Sequence, residues 1–206
     1  MVESGSSPEP GDTSGEDYAR RLRSKQQVWW KKALKVQAPY RWNLRRQRLG
    51  RTLDVGCGIG RNLQTLDPGS VGVDHNEHSV AVAREAGVTA LTVAEWRQSP
   101  LRVPESFDGI LLAHVIEHMT RADGLALLRE YLPCLRPDGK VFFVCPQERG
   151  YASDTTHVWF ATGDDLADLA REVGLQPEPW FSFPFPRRAG RSFLYNEFCL
   201  LATKPS

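Results

Sequence analysis

A short apolar strand that runs directly into a glycine-rich loop constrains this chain more than any other feature. Residues 53–60 read LDVGCGIG, and a helical pattern follows them. Glycines at alternate positions let the backbone turn sharply and let a ligand approach it closely. The dinucleotide fingerprint fails, since Arg61 stands where it needs glycine, and no Gly-Lys-Ser/Thr of a phosphate loop follows. The loop therefore predicts a ligand site of another kind.

Strand and helix patterns alternate from Arg51 onward, which predicts a parallel sheet with helices on both faces. The predicted strands cover residues 51–56, 71–74, 89–93, 107–113 and 140–145. The predicted helices cover residues 59–66, 79–86, 122–135 and 164–173. Two aromatic, strand-like segments at 179–186 and 193–202 complete the chain.

Charge is segregated along the chain, although the 206 residues have a formal net charge of only +1. Residues 1–17 carry five acids and no base, which predicts a disordered acidic tail. From Tyr18 to Leu53 there are 12 bases and no acid. We therefore divide the chain into the tail, a basic helical arm at 18–50 and a ligand-binding domain at 51–206. The arm is either a helix that packs on the domain or a lid that attracts an anionic ligand.

Three acidic residues lie at the ends of three successive predicted strands. They are expected to share a site with the loop, because ligands of open α/β sheets bind outside the carboxyl ends of the strands. Asp54 would repel a pyrophosphate but suits an ammonium or sulfonium group. Asp74 can accept hydrogen bonds from both ribose hydroxyls. Glu95 can accept one from an adenine amino group, with Trp96 beside it to pack on the ring.

These motifs resemble those of the class I S-adenosylmethionine-dependent methyltransferases. The glycine motif at 53–60, the acidic strand at 71–74, the fourth-strand segment at 106–119 and the turn at 135–140 carry the resemblance. It implies an α/β, Rossmann-like methyltransferase fold with a seven-stranded, mostly parallel sheet and helices on both faces. The implied strand order is 3-2-1-4-5-7-6, with the last strand antiparallel.

The resemblance also implies S-adenosyl-L-methionine as cofactor and S-adenosyl-L-homocysteine as product. The implied cofactor contacts are Asp54, Gly56, Cys57, Gly58, Asp74, His75, Glu95, Trp96, Ala113 and His114. Among them, the loop residues line the methionine end, and the backbone after the fourth strand meets the methionine amino group.

The acceptor is predicted to be a small molecule with an oxygen, nitrogen or carbon nucleophile, since the chain lacks the Asn/Asp-Pro-Pro-Tyr motif of nucleic-acid amine methyltransferases. The aromatic and basic segments around the site favour an aromatic or anionic acceptor. His118 and His157 are the candidate catalytic residues, with structural roles as the alternative. Trp30, Tyr40 and Tyr151 are the candidate substrate contacts, with plain packing as the alternative for the two in the arm.

Two other functions stay open. The basic arm with its tryptophans favours an RNA- or protein-directed methyltransferase, so nucleic acid is a disfavoured but open partner. The second alternative is a non-catalytic protein that binds S-adenosylmethionine.

The spacing of the cysteines and the length of the apolar runs argue against disulfide-bonded, zinc-binding and membrane-spanning classes of protein. The four cysteines show no CxxC pair and no zinc spacing, which predicts reduced thiols in the cytoplasm and no metal site. No apolar run is long enough to predict a transmembrane segment. Arginine-rich, lysine-poor usage favours a bacterial source. The oligomeric state is left open.

Overall fold

The computed structural model of this protein describes residues 37–206. The predicted acidic tail at 1–17, the first part of the predicted arm and the candidate substrate residue Trp30 lie outside the described residues.

One central sheet organises the described chain. Its strands are β1 Thr52–Val55, β2 Val71–Asp74, β3 Ala90–Thr92, β4 Phe107–Ala113, β5 Leu135–Pro146, β6 Gln176–Pro177, β7 Phe181–Phe183 and β8 Glu197–Thr203. The order is β3-β2-β1-β4-β5-β8-β6, with β7 also paired to β8. Strands β1 to β5 are parallel, whereas β8 is antiparallel to β5. The strands β6 and β7 pair with opposite ends of β8 and together take the place of one interrupted strand. Counted in this way, β8 is the seventh strand, and the predicted fold and strand order are confirmed.

Within residues 37–206, six α-helices flank or follow the strands. They are α1 at 37–46, α2 Glu77–Glu85, α3 Val93–Gln98, α4 Arg121–Tyr131, α5 Glu148–Tyr151 and α6 Gly163–Glu172. The helices α2, α4 and α6 lie where the sequence predicts helices. The side chain just before each helix, Asn76, Thr120 or Thr162, accepts a hydrogen bond from the backbone N–H three residues later. Among the described residues, no helix has the length and apolarity to cross a bilayer.

Two local predictions are wrong. Residues 59–66 form consecutive turns instead of a helix, since Gly60 has a φ of +76° at their start and Pro68 follows closely. Conversely, the predicted third strand stops at Thr92, where α3 begins. The Thr92 hydroxyl accepts from the Glu95 amide and the Glu95 carboxylate accepts from the Thr92 amide, a capping box that fixes the helix start.

Strand β5 separates the two sides of the core. Its alternate residues Val141 and Phe143 face a cluster that also contains Leu128 of α4 and Leu169 of α6. Phe142, between them, faces the opposite cluster. That second cluster contains Leu44 of α1, so the described part of the arm packs on the sheet. The helix α1 is thereby fixed beside the carboxyl ends of the strands.

Candidate functional site

An open cleft of about 920 Å³ lies at the carboxyl ends of β1, β2 and β4. Its walls come from the loop after β1, the start of α2, the segment after β4, the loop at 155–158 and the last strand. The helix α1 closes one side through Gln37, Tyr40, Arg41 and Leu44. The arm residues described here therefore both pack on the domain and line the cleft.

The glycine loop needs glycine at Gly56 and leaves space beside Gly58. Both residues have positive φ angles, of +76° and +51°. A Cβ atom on Gly56 would lie 2.4 Å from Cγ2 of Val115, whereas one on Gly58 would meet nothing within 4 Å. The Gly56 and Cys57 amides donate to the Val73 carbonyl at 2.8 and 3.2 Å. The loop is thus held against β2 with the backbone at Gly58 open to the cleft.

Asp74 connects the glycine loop to the start of α2. Its Oδ2 accepts from the Gly58 amide at 2.7 Å and its Oδ1 accepts from the Asn76 amide at 2.8 Å. His75 Nδ1 lies 3.5 Å from Oδ1, and both His75 and Asp74 line the cleft. An ionised carboxylate has about four acceptor positions, so Asp74 can still accept from a ligand hydroxyl.

Asp54 is a buried carboxylate without a hydrogen-bond partner among the described residues. It is 1% exposed, and neither oxygen accepts a hydrogen bond. Burial first, and the nearby Asp74 second, raise the pKa of Asp54 to about 7. The side chain lies beneath the loop and does not line the cleft, in contrast to the direct ligand contact predicted for it. Such a group is costly to ionise unless positive charge approaches it.

The adenine contacts predicted for Glu95 and Trp96 need correction, because neither side chain reaches the cleft. Glu95 caps α3 and accepts from Arg84 Nη2 at 2.6 Å. Trp96 is fully buried, and its ring lies 6.1 Å from that of Phe107 and 6.2 Å from that of Tyr131. The physical reason is the early start of α3, which uses the carboxylate as a cap and turns the indole into the core.

His114 stands between two carboxylates at the end of β4. Its Nδ1 lies 3.1 Å from Glu117 Oε1 and its Nε2 lies 3.0 Å from Glu197 Oε1. Burial lowers the pKa of His114, but the two carboxylate hydrogen bonds outweigh it and raise the pKa well above its usual value. The imidazolium form then donates from both nitrogens. Ala113 and His114 both line the cleft, and His114 has a φ of +59°.

Sequence reasoning assigned no role to either carboxylate beside His114. Glu117 lies inside the fourth-strand motif, between two histidines, and that position was an available signal. Glu197 lies on β8, beyond the segment that carries the resemblance. Only the antiparallel pairing of β8 with β5 brings it to His114.

The structure brings the candidate catalytic residues His118 and His157 together. Their ring centroids are 4.7 Å apart. His118 Nδ1 lies 3.0 Å from Thr156 Oγ1, and His157 Nδ1 donates to the Tyr151 carbonyl at 2.7 Å. Burial lowers the pKa of His118, which favours its neutral form. His118 lines the cleft, whereas His157 lies behind it.

The candidate substrate residues separate in the structure. Tyr40 lines the cleft, and its hydroxyl donates to the Tyr195 carbonyl at 2.6 Å. Tyr151 does not line the cleft, because its ring stacks on His157 at 5.1 Å and packs against Phe160. Its place behind His157 corrects the prediction of a direct substrate contact.

Comparisons with known proteins agree with this geometry. A family model described as a methyltransferase domain matches residues 53–143. The chain is 30% identical over 161 residues to a ubiquinone biosynthesis O-methyltransferase of Ruegeria pomeroyi, a match that covers 66% of this chain and 63% of that protein. A Cereibacter sphaeroides protein of the same name is 32% identical over 154 residues, with 62% and 60% covered. The chain thus spans less than two thirds of the length of these relatives.

Solved structures match the fold. A Thermotoga maritima structure, described as a methyltransferase and possible histamine N-methyltransferase, has a TM-score of 0.63 at 21% identity and covers 91% of this chain and 98% of that one. The 1,6-didemethyltoxoflavin-N1-methyltransferase of Burkholderia thailandensis has a TM-score of 0.57 at 21% identity, with 97% and 94% covered. That second structure holds 1,6-didemethyltoxoflavin and S-adenosylhomocysteine.

Proposed function

We propose that this chain is a class I S-adenosylmethionine-dependent methyltransferase and transfers a methyl group from S-adenosylmethionine to a small-molecule acceptor. The observation that carries the proposal is the position of Asp74. Its carboxylate lies in an open cleft, in direct contact with a glycine loop at the carboxyl ends of the strands. A nucleoside without phosphates fits this arrangement, whereas a pyrophosphate would be repelled by the acidic side chains.

The residues around the loop fit the cofactor chemically. The open space at Gly58 admits a ligand against the backbone, and Asp74 can accept from ribose hydroxyls. The unpartnered Asp54 lies beneath the loop, where the positive charge of an ammonium or sulfonium group would offset its buried charge. Bound there, the cofactor supplies an electrophilic methyl group on sulfur.

The acceptor side of the cleft is formed by His114, His118 and Tyr40. Methyl transfer from a sulfonium is an in-line displacement, so this side mainly orients the nucleophile and, for a hydroxyl, handles its proton. The positively charged His114, together with Arg41, which also lines the cleft, favours an anionic or aromatic acceptor. The names of the curated relatives favour oxygen as the methylated atom.

A second candidate function, methylation of RNA, is favoured by one surface feature. Trp42 is 57% exposed, and the Arg46 guanidinium lies 4.8 Å from its ring centroid. Arg41 and Arg45 lie on the same helix. Exposed aromatic rings among arginines suit stacking on bases and contact with phosphates. We rank this function second, because the fourth-strand segment lacks the amine-methylating motif.

The proposal also covers the roles of the two segments of the chain and the cellular location of the protein. We assign cofactor binding to residues 51–206 and assign the basic arm at 18–50 to acceptor selection, since its described end already lines the cleft. The four cysteines are free and buried, in keeping with a cytoplasmic protein. The curated relatives named above are bacterial, in keeping with a bacterial source.

Transfer of a labelled methyl group tests this function. The full chain is incubated with methyl-labelled S-adenosylmethionine and, separately, with the small-molecule, RNA and protein fractions of a bacterial extract. We expect enzyme-dependent label in the small-molecule fraction only. Label confined to RNA or protein would overturn the small-molecule assignment, and no label in any fraction would overturn methyl transfer.

A further inference from the structure

Glu117, His118 and His157 form a cluster of metal-ligand type beside the acceptor side of the cleft. Each offers one ligand atom, and the three atoms lie within 4.8 Å of one another. Glu117 is buried, while the two histidines are half-buried. Two imidazoles and one carboxylate are the protein ligands of one type of catalytic zinc site.

Both histidines use Nδ1 for a hydrogen bond within the protein. Metal-binding histidines use one ring nitrogen for the metal and donate the other to a protein acceptor. His157 Nδ1 donates to the Tyr151 carbonyl at 2.7 Å, and His118 Nδ1 lies 3.0 Å from Thr156 Oγ1. The Thr156 hydroxyl in turn donates to Asp154 Oδ1 at 2.7 Å, so its oxygen can accept from His118. The Nε2 atoms of both histidines therefore keep their lone pairs.

The backbone holds the two halves of the cluster together. The Glu117 carbonyl accepts from the Val158 and Trp159 amides at 2.7 and 3.2 Å. These bonds fix the segment that carries His157 against the segment that carries Glu117 and His118. The cluster thus depends on main-chain contacts and not on freely moving surface side chains.

The Glu117 carboxylate has one oxygen to spare. Its Oε1 is engaged by His114, but Oε2 is buried and has no hydrogen-bond partner among the described residues. A buried carboxylate within 4.8 Å of two imidazole nitrogens offers three ligand atoms to a cation.

We propose that Glu117, His118 and His157 bind a divalent transition-metal ion of the zinc type. Ligands of tetrahedral zinc lie about 3.3 Å apart, so small side-chain rotations would close the cluster around the ion. Three protein ligands leave coordination positions free, and His118 lines the cleft. The sequence did not predict this site, because His157 is distant in the chain and joins the pair only through the fold.

A metal at this position also gives the acceptor side a chemical role, a consequence that rests on the proposed function. An acceptor hydroxyl bound to the ion would lose its proton more readily to water in the open cleft, since a bound cation stabilises the oxyanion. His118 and His157 would then act as ligands in place of a lone general base.

Metal titration of the full, untagged chain tests the site without cofactor or acceptor, so its result is independent of methyl transfer. After treatment with a chelator, Zn²⁺ binding is measured by calorimetry and Co²⁺ binding by its visible absorption. We expect one ion per chain, with Co²⁺ bands of a low-coordinate nitrogen and oxygen site. We expect H157N and H118N to weaken binding by at least about tenfold, since even outer-shell changes cost about 10- to 100-fold.

Matched variants separate this site from adventitious binding. His78 is exposed on α2, so H78N should leave Zn²⁺ affinity unchanged. T156V removes the hydroxyl that links His118 to Asp154, and it should weaken binding about tenfold while the circular dichroism spectrum stays that of the wild type. The proposal is overturned if the wild type binds neither ion, or if H118N and H157N bind as tightly as H78N.

Discussion

At the scale of single residues, the site contains two titrating groups whose surroundings favour different charge states: Asp54 is held neutral and His114 is held positively charged. Asp54 is buried with no partner, and burial raises its pKa from 3.8 to about 7. His114 is held by Glu117 and Glu197, which raise its pKa well above the usual value. The first group is poised to receive positive charge, and the second already carries it. Both lie at the carboxyl edge of the sheet, Asp54 beneath the glycine loop and His114 in the wall of the cleft.

The pH dependence of stability should identify Asp54. Below pH 3.8, the Asp54 carboxyl is protonated in both the folded and the unfolded state. As the pH rises toward about 7, only the unfolded state ionises readily, so the free energy of unfolding falls. Replacing Asp54 with Asn removes this loss. When the pH is raised from 4.5 to 8, we expect the free energy of unfolding of D54N to increase, relative to that of the wild type, by on the order of a few kcal/mol. Urea unfolding of both proteins at the two pH values measures the difference, and a parallel response would contradict the account.

His114 should show a stability effect of its own over a higher pH window. A raised pKa contributes stability that is fully present below about pH 6.5 and is lost as the pH rises through the folded-state value. Replacing His114 with Asn leaves Glu117 and Glu197 facing each other. We therefore expect H114N to melt below the wild type by a wide margin at pH 6 and by a smaller margin at pH 10. The exposed H78N variant serves as control, and a margin that grows with pH would refute the assignment.

At the scale of elements, local sequence signals predicted the strands better than the connections between them. The strands predicted at 107–113 and 140–145 lie within β4 and β5 of the structure. The segment at 59–66 has helical periodicity, yet positive φ at Gly60 and the following proline keep it as turns. The helix α3 was missed because its capping box follows the strand without a break. Short elements of this kind depend on backbone caps more than on periodicity.

The glycine loop gives an element-scale prediction. Gly56→Ala would place a Cβ atom 2.4 Å from Val115 at a φ of +76°, so we expect a loss of about 2 kcal/mol or more in unfolding free energy and loss of cofactor binding. The control is Gly124→Ala in α4, where the nearest atom would lie 3.6 Å away. Since alanine favours a helix interior, that variant should be neutral or up to about 1 kcal/mol more stable. Chemical denaturation checks both, and a neutral G56A would contradict the geometry.

At the scale of the whole molecule, topology assembles the site from distant parts of the chain. Asp74 and the glycine loop were predictable, because a parallel sheet places the carboxyl ends of neighbouring strands at one edge. Glu197 was not, since it reaches His114 only through the antiparallel β8. His157 was predicted as a candidate, but its pairing with His118 depends on backbone bonds to Glu117. Contacts between residues that are distant in the chain could not be predicted, because local sequence patterns carry no information about them.

The central claim is that the cleft binds an S-adenosyl nucleoside through Asp74, and calorimetry with S-adenosylhomocysteine tests it most directly. We expect one site in the wild type and about 10- to 100-fold weaker binding in D74N, the size expected for lost hydrogen bonds to a charged group. The control D67N alters an exposed aspartate just before β2 and should bind as the wild type does. No binding by the wild type, or equal affinity in D74N and D67N, would contradict the account.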